Sequence, residues 1–281
     1  MQLKEVFTPG GQPSVTYVGR EHLQLEDAVR GALARGYALN VVTGPTKSGK
    51  TVLCKRVLAN AAKFIVVEGG QVRNEDDFWR HISFKLNIAN TAVKAASSTD
   101  GHQVGAEVSG GVFGMLAGKA SAQASQTDQK TSSLSYNNDL MISSIDKILS
   151  EKITLLVDDF HYIQRDTQKS IIQALKGPIF DGLTVIFLAV PHRAFDPITV
   201  EDELQGRFRH IPIPPWSIDD LVKIPEKGFE ALNVNCPAAV TKTICEESYG
   251  NPLLVQEICS ELCVKSGIFE TKVSAITVDK G

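Results

Sequence analysis

Cysteine is scarce in this chain, and long apolar runs are absent. Five cysteines occur in 281 residues, a number that is both odd and too small for a disulfide framework. No stretch approaches the ~20 consecutive apolar residues that a membrane-spanning helix requires, and the first residues contain no apolar signal core. We therefore expect a soluble protein of a reducing compartment, the cytoplasm.

An excess of charge of one sign is also missing. The chain has 29 Lys and Arg against 32 Asp and Glu, a net charge of -3. This balance provides no general electrostatic attraction to nucleic acid, although a local basic patch is compatible with it. Hydrophobic residues make up 43% of the chain, which is enough to form a sizeable core and excludes a wholly disordered protein.

Apolar strands and amphipathic helices alternate through the first part of the sequence. Short apolar runs predict strands over 38–43, 64–68, 153–157 and 183–190, and helical spacing predicts helices over 52–62, 76–86, 140–149 and 167–176. Strands that are apolar throughout are typical of a parallel sheet covered by helices on both faces. The predicted fold class is therefore α/β.

The pattern changes after residue 213. Ser217 followed by an acid three positions later predicts a helix start, and helices are expected over 218–232, 237–248 and 251–266. Prolines cluster at 212–215 just before this region. We predict an α/β domain over 1–214 and a helical domain over 215–281.

The segment 95–135 is rich in Gly, Ala, Ser, Thr and Gln. This composition is typical of a flexible loop, but its alternating pattern also fits a β-hairpin over 101–127. Three roles for an ordered hairpin remain open at this point. It could line a channel in a ring of subunits, bind a partner or neighbouring subunit, or enter a membrane as a β-barrel strand pair.

The strongest motif follows the first predicted strand. A G-x4-G-K-T pattern there precedes an amphipathic helix, the context that a phosphate-binding loop requires. The glycines allow the backbone N–H groups to curl around phosphate oxygens, and the helix N-terminus adds partial positive charge. We expect nucleotide contacts from Gly44, Pro45, Thr46, Lys47, Ser48, Gly49, Lys50, Thr51 and Val52, with the Lys47 side chain in solvent.

Two aspartates end the third predicted strand. The sequence Leu155-Leu156-Val157-Asp158-Asp159 places carboxylates at the sheet edge where ligands bind in open α/β folds. The sequence predicts that Thr51 and Asp158 hold Mg²⁺, that Lys50 grips the β- and γ-phosphates, and that Asp159 orients the attacking water. ATP and Mg²⁺ are therefore the expected ligands.

Together with Val18-Gly19-Arg20-Glu21 and the later helical region, these motifs resemble the AAA+ and STAND classes of P-loop ATPases over roughly residues 15–265. The resemblance implies that Val18, Gly19 and Arg20 border the adenine. It also implies a polar sensor at His192 or Arg193 and an arginine that completes a neighbouring subunit's site, with Arg207 favoured over Arg209. Gly250-Asn251-Pro252 resembles the lid motif of STAND proteins and implies that Pro252 lies near the nucleotide.

Two departures from the family pattern bear on function. Asp159 stands where many AAA+ enzymes have glutamate, and the lid motif lacks an arginine, which favours a slow switch over a fast motor. The chain also ends soon after the predicted lid, so a protein partner is expected to supply sensing or effector function. The expected role is a nucleotide-dependent homo-oligomer in bacterial defence or signalling. The alternatives are a DNA-associated loader and a scaffold that binds ATP without hydrolysing it.

Overall fold

A five-stranded parallel sheet forms the centre of the computed structural model, which describes residues 1–88, 140–191 and 207–278. Its strand order is β2-β3-β4-β1-β5, and each neighbouring pair is parallel. This confirms the predicted α/β fold. The strands are β1 Leu39–Thr43, β2 Phe64–Glu68, β3 Thr154–Asp158, β4 Val185–Ala189 and β5 Phe208–Pro212.

Helices cover both faces of this sheet, because successive strand residues point to opposite sides. On one face, Val42, Leu156 and Ile186 pack against α2 and α3. On the other face, Val41, Val157 and Phe187 pack against α4, α5 and α6. These helices are α2 Leu25–Arg35, α3 Lys50–Ala61, α4 Glu75–Lys85, α5 over 140–151 and α6 Arg165–Phe180, preceded by a short α1, Leu3–Val6.

The C-terminal part is helical, as the sequence predicts. It contains α7 Ile218–Leu232, α8 Ala238–Glu247 and α9 Pro252–Lys265. The Ser217 side chain caps α7 by accepting from the Asp220 N–H, and Asn251 caps α9 by accepting from the Leu253 N–H. Two short strands, β6 Val234–Asn235 and β7 Ile276–Thr277, pair in parallel beside these helices.

The first 18 residues, here called the strap, pack against the helical part. Phe7 is buried in the same apolar core as Leu221 and Phe229, and its ring meets Phe229 edge-on. A side chain at Gly228 would come within 2.2 Å of the Phe7 ring, so this approach requires glycine. The sequence prediction placed the strap in the α/β domain and did not anticipate this packing.

The predicted hairpin over 101–127 and the whole of the 95–135 segment lie outside the described residues. Within the described ranges, no helix combines the length and the apolar content needed to cross a bilayer. The five thiols are free, and four of them are buried. Burial raises the pKa of Cys54 to about 12, so this thiol stays protonated near neutral pH.

Candidate functional site

A cleft of about 390 Å³ opens at the carboxyl edge of the sheet, between the α/β part and the helical part. Its walls include residues 16–20, at the end of the strap and just after it. They also include residues 46–53, from the phosphate loop and the start of α3, and Asp159. All the strands are parallel, so the loops that follow β1 and β3 meet at this edge. A cleft of this size accommodates a small-molecule ligand such as a nucleotide.

The loop after β1 has the backbone that its glycines predict. Gly49 has a φ of +90°, a left-handed conformation that favours glycine, and it immediately precedes the first turn of α3. A side chain at Gly44 would lie 2.9 Å from the Ile213 carbonyl oxygen and 3.0 Å from the Ser48 Oγ. Gly49, Lys50 and Thr51 border the cleft, so the N-terminus of α3 faces it. Its free N–H groups and partial positive charge favour a bound anion there.

Lys50 lies at the start of α3 with its ammonium group folded onto the loop. Its Nζ donates to the Gly44 carbonyl at 3.0 Å and to the Pro45 carbonyl at 2.8 Å. Burial lowers the pKa of Lys50, and the nearby carboxylates of Asp159 and Asp158 only partly oppose this effect. The protein alone therefore solvates this cation poorly, and an anion in the cleft would stabilise it.

Thr51 and Asp158 meet where α3 and β3 approach each other. The Thr51 Oγ1 donates to the Asp158 Oδ2 at 2.7 Å, although the two residues are 107 positions apart in the chain. Asp158 is buried, with 6% of its surface exposed. A hydroxyl and a carboxylate side by side are oxygen ligands of the kind that Mg²⁺ prefers, directly or through water.

Asp159 borders the cleft from the turn after β3. Its φ of +51° is left-handed, and its N–H donates to the Asp158 Oδ1 at 2.9 Å. Gly69 supports this turn, because a side chain there would lie 2.5 Å from the Asp159 carbonyl oxygen. Sequence reasoning missed Gly69, since nothing in its local pattern signals that another backbone lies against it.

Arg20 and Trp216 lie where the strap, the phosphate loop and the helical part meet. The Trp216 Nε1 donates to the Ser48 carbonyl at 2.9 Å, and the Arg20 guanidinium lies 4.4 Å from the centre of the indole ring. Arg20 also donates to the Pro214 and Pro215 carbonyls, and burial lowers its pKa. Val18, Gly19 and Arg20 all border the cleft, but the guanidinium contacts the domain junction, and its role at the base stays a prediction.

Of the other predicted site residues, Pro252 lies at the cleft and Arg207 lies away from it. Pro252 begins α9 and borders the cleft. The Arg207 carbonyl accepts from the Leu39 N–H, so Arg207 lies at the amino edge of the sheet, and its guanidinium is 4.5 Å from the Phe180 ring centre. From that edge Arg207 does not reach its own chain's cleft, and its action on a neighbour stays a prediction. His192 and Arg193 lie outside the described residues.

The side chains present fit a nucleoside triphosphate with Mg²⁺. The Ser48 Oγ is buried and has no hydrogen-bond partner in the part of the chain that the structure describes, and a phosphate oxygen would satisfy it. Lys50 and the start of α3 supply positive charge, and Thr51 with Asp158 supplies oxygen ligands. Among the described residues, no group of three or more His, Cys, Asp and Glu side chains forms a metal cluster.

Comparison with known proteins shows a likeness in structure only. No family model matches the sequence, and no curated protein matches it. Cdc6p from Pyrobaculum aerophilum superposes with a TM-score of 0.59 at 13% identity, covering 95% of this chain and 68% of that one. The ORC2 protein of Aeropyrum pernix, solved as ADPNP and ADP complexes, superposes with a TM-score of 0.57 at 14% identity, covering 94% and 67%.

A further match is RuvB of Thermotoga maritima, a Holliday junction branch migration motor. Its TM-score is 0.51 at 13% identity, covering 91% of this chain and 66% of that one. At such low identity these matches establish the fold and leave activity to be argued from the site. The AAA+ resemblance seen in the sequence is confirmed at this level: the chain has the fold of the AAA+ P-loop ATPases.

Proposed function

We propose that this protein binds ATP with Mg²⁺ in the cleft and hydrolyses it slowly. The observation that carries the proposal is the contact between Thr51 and Asp158. It brings the end of the phosphate-loop motif and the predicted metal carboxylate together at the same sheet edge. The ORC2 protein, of similar fold, was solved with ADPNP and ADP, which supports nucleotide binding by this architecture.

Each side chain has a defined task in this proposal. Lys50 and the N–H groups at the start of α3 bind the phosphate oxygens, and Thr51 with Asp158 holds the metal. The Asp159 carboxylate orients water and accepts its proton during attack on the terminal phosphate. Mg²⁺ held by Thr51 and Asp158 would supply positive charge near the phosphate oxygens. Asp159 has a shorter side chain than the glutamate of many AAA+ enzymes, so we expect turnover below about 1 per second.

Replacing Asp159 with asparagine tests hydrolysis. The change keeps the shape of the side chain and removes the proton acceptor, so steady-state phosphate release should fall about 100-fold while ATP affinity is retained. Asp181→Asn is the matched control, since this exposed carboxylate lies just before β4 at the opposite edge of the sheet. Equal, negligible rates in wild type and Asp159→Asn would favour a scaffold that binds ATP without using it.

We further propose that nucleotide binding drives assembly, as in STAND switches. The cleft lies between the two parts of the chain, so a ligand held by both favours one relative arrangement. Arg207 does not border the chain's own cleft, and in this proposal it would act on a neighbouring subunit. Light scattering after size exclusion should show a larger species with ATP than with ADP. The defence or signalling setting, and a partner that senses the trigger, are proposed from the sequence resemblance to STAND proteins alone.

The second candidate is a DNA-associated ATPase. The likeness to RuvB, described as a Holliday junction branch migration motor, supports it. The net charge of -3 weighs against strong binding by a single chain. An ATP-dependent, salt-sensitive retention of duplex DNA would favour this candidate over the switch.

A further inference from the structure

Gln256 lies at the strap end of the cleft. It is on α9, one turn after Pro252, and borders the cleft together with Pro252 and Leu253. Only 6% of its surface is exposed. A buried carboxamide carries one acceptor and two N–H donors, and all of these groups require partners.

The strap fixes the orientation of this carboxamide. The Gln256 Oε1 accepts from the Thr8 N–H at 2.8 Å and also lies 3.2 Å from the Thr16 Oγ1. A backbone N–H can only donate, so the atom facing Thr8 must be the carboxamide oxygen. The NH₂ group is therefore turned away from the Thr8 N–H.

The Gln256 NH₂ group has no acceptor in the part of the chain that the structure describes, and the side chain borders the cleft. Unlike the Ser48 Oγ, the NH₂ nitrogen is not sealed from solvent, so a ligand acceptor would replace a water molecule as its partner. The lining of the cleft also includes the apolar side chains of Val18, Ile224 and Leu253. Apolar side chains combined with a few oriented polar groups form the kind of surface that recognises a planar base or a sugar.

The position along the cleft identifies the part of the ligand. Lys50 and Thr51 mark the phosphate end, so a nucleotide held there must direct its nucleoside toward another part of the cleft. The strap end is bordered by Thr8, Thr16 and Gln256. Resting on the proposed function, we propose that Gln256 determines nucleotide specificity by donating its NH₂ group to an acceptor atom of the nucleoside. The strap would thereby be linked to the bound ligand.

Two substitutions distinguish the role of the Gln256 NH₂ donor from that of the Gln256 oxygen that accepts from the Thr8 N–H. Gln256→Glu keeps an oxygen for the Thr8 N–H but removes the NH₂ donor, and Gln256→Met removes both without adding charge. We expect each variant to bind Mg–ATP about tenfold more weakly at pH 8, where a glutamate is normally ionised. Gln24→Glu adds the same charge at an exposed position and should bind like wild type.

Inorganic tripolyphosphate provides the matched ligand because it lacks a nucleoside. Its affinity, measured by calorimetry, should be the same in wild type and both Gln256 variants. The inference would be overturned if the variants lost equal affinity for tripolyphosphate and for ATP. It would also be overturned if both variants kept the ATP affinity of wild type. Either result would leave ATP binding by the wild type intact. If wild type itself failed to bind ATP, the proposed function would fail first, and this inference with it.

A third ligand locates the acceptor. If wild type and Gln256→Met bind 2′-deoxy-ATP with the same affinity, the ribose 2′-oxygen is the partner of the NH₂ group. If wild type still binds 2′-deoxy-ATP more tightly than Gln256→Met, the partner is the base or another ribose oxygen. Both outcomes retain Gln256 as the donor, and they differ in whether the contact discriminates among sugars or among bases.

Discussion

Replacing Lys50 with alanine should weaken ATP binding about 100-fold, since hydrogen bonds from a charged donor to phosphate are among the strongest in proteins. The fold should tolerate the change. Burial lowers the pKa of Lys50, so folding disfavours its charged form and removing the cation relieves that cost. Calorimetric titration with Mg–ATP measures the first effect, and thermal unfolding without nucleotide measures the second.

Lys55→Ala is the matched control for this experiment. Lys55 lies on the same helix, α3, but does not border the cleft. The Lys55→Ala variant should therefore bind Mg–ATP with the affinity of the wild type. An affinity that fell equally in the two variants would indicate a general effect of charge, and an undiminished affinity in Lys50→Ala would remove Lys50 from the site.

Replacing Asp158 with asparagine should abolish the dependence of ATP binding on magnesium. The amide oxygen can still accept from the Asp159 N–H, and the amide NH₂ can then donate to the Thr51 hydroxyl oxygen, so the local packing is preserved. The negative charge that favours a divalent cation is lost. Groups that support a bound metal, directly or through water, typically contribute about 10- to 100-fold in metal affinity or activity, and phosphate release should fall by at least this factor.

The magnesium experiment compares ATP affinity with Mg²⁺ and with EDTA. Wild type should lose affinity in EDTA, whereas Asp158→Asn should give the same, weaker affinity in both conditions. Asp181→Asn should behave like wild type. If Asp158→Asn kept the full magnesium effect, the metal would not depend on the pair formed by Thr51 and Asp158.

Local patterns accounted for most of the sheet and the helical part. The runs that form β1 to β4 are apolar in sequence because both of their faces are covered, and Ser217 and Asn251 carry their capping signals within three residues. β5 has no such pattern, because it contains Arg209 and His210 and only one of its five residues is buried. The phosphate-loop motif was predictable because its glycines, lysine and threonine act through a short, continuous backbone.

Contacts between distant segments were not predictable in this way. Trp216 binds the carbonyl of Ser48, 168 positions earlier, and Gln256 binds Thr8, 248 positions earlier. Neither pair has a signal in its own neighbourhood, because each depends on how the helical part is placed against the sheet. The strap was assigned to the α/β domain for the same reason: α1 has only four residues, and its core partners lie on α7 and α9.

The junction residues suggest how the cleft and the helical part are connected. Trp216 precedes α7 directly and is bonded to the phosphate loop, while Arg20 holds the prolyl carbonyls on the same segment. A shift of the loop at Ser48 would therefore be transmitted to the start of α7. The nucleotide-driven switch proposed above would use this short path from the phosphate loop to the helical part.

The decisive experiment for ATP binding in this cleft is calorimetric titration of the wild-type protein with ATP in the presence of Mg²⁺. We expect saturable binding at one site per chain, weakened when Mg²⁺ is chelated. The absence of binding heat at millimolar ATP, confirmed by an unchanged melting temperature with and without nucleotide, would contradict the assignment of this cleft as an ATP site.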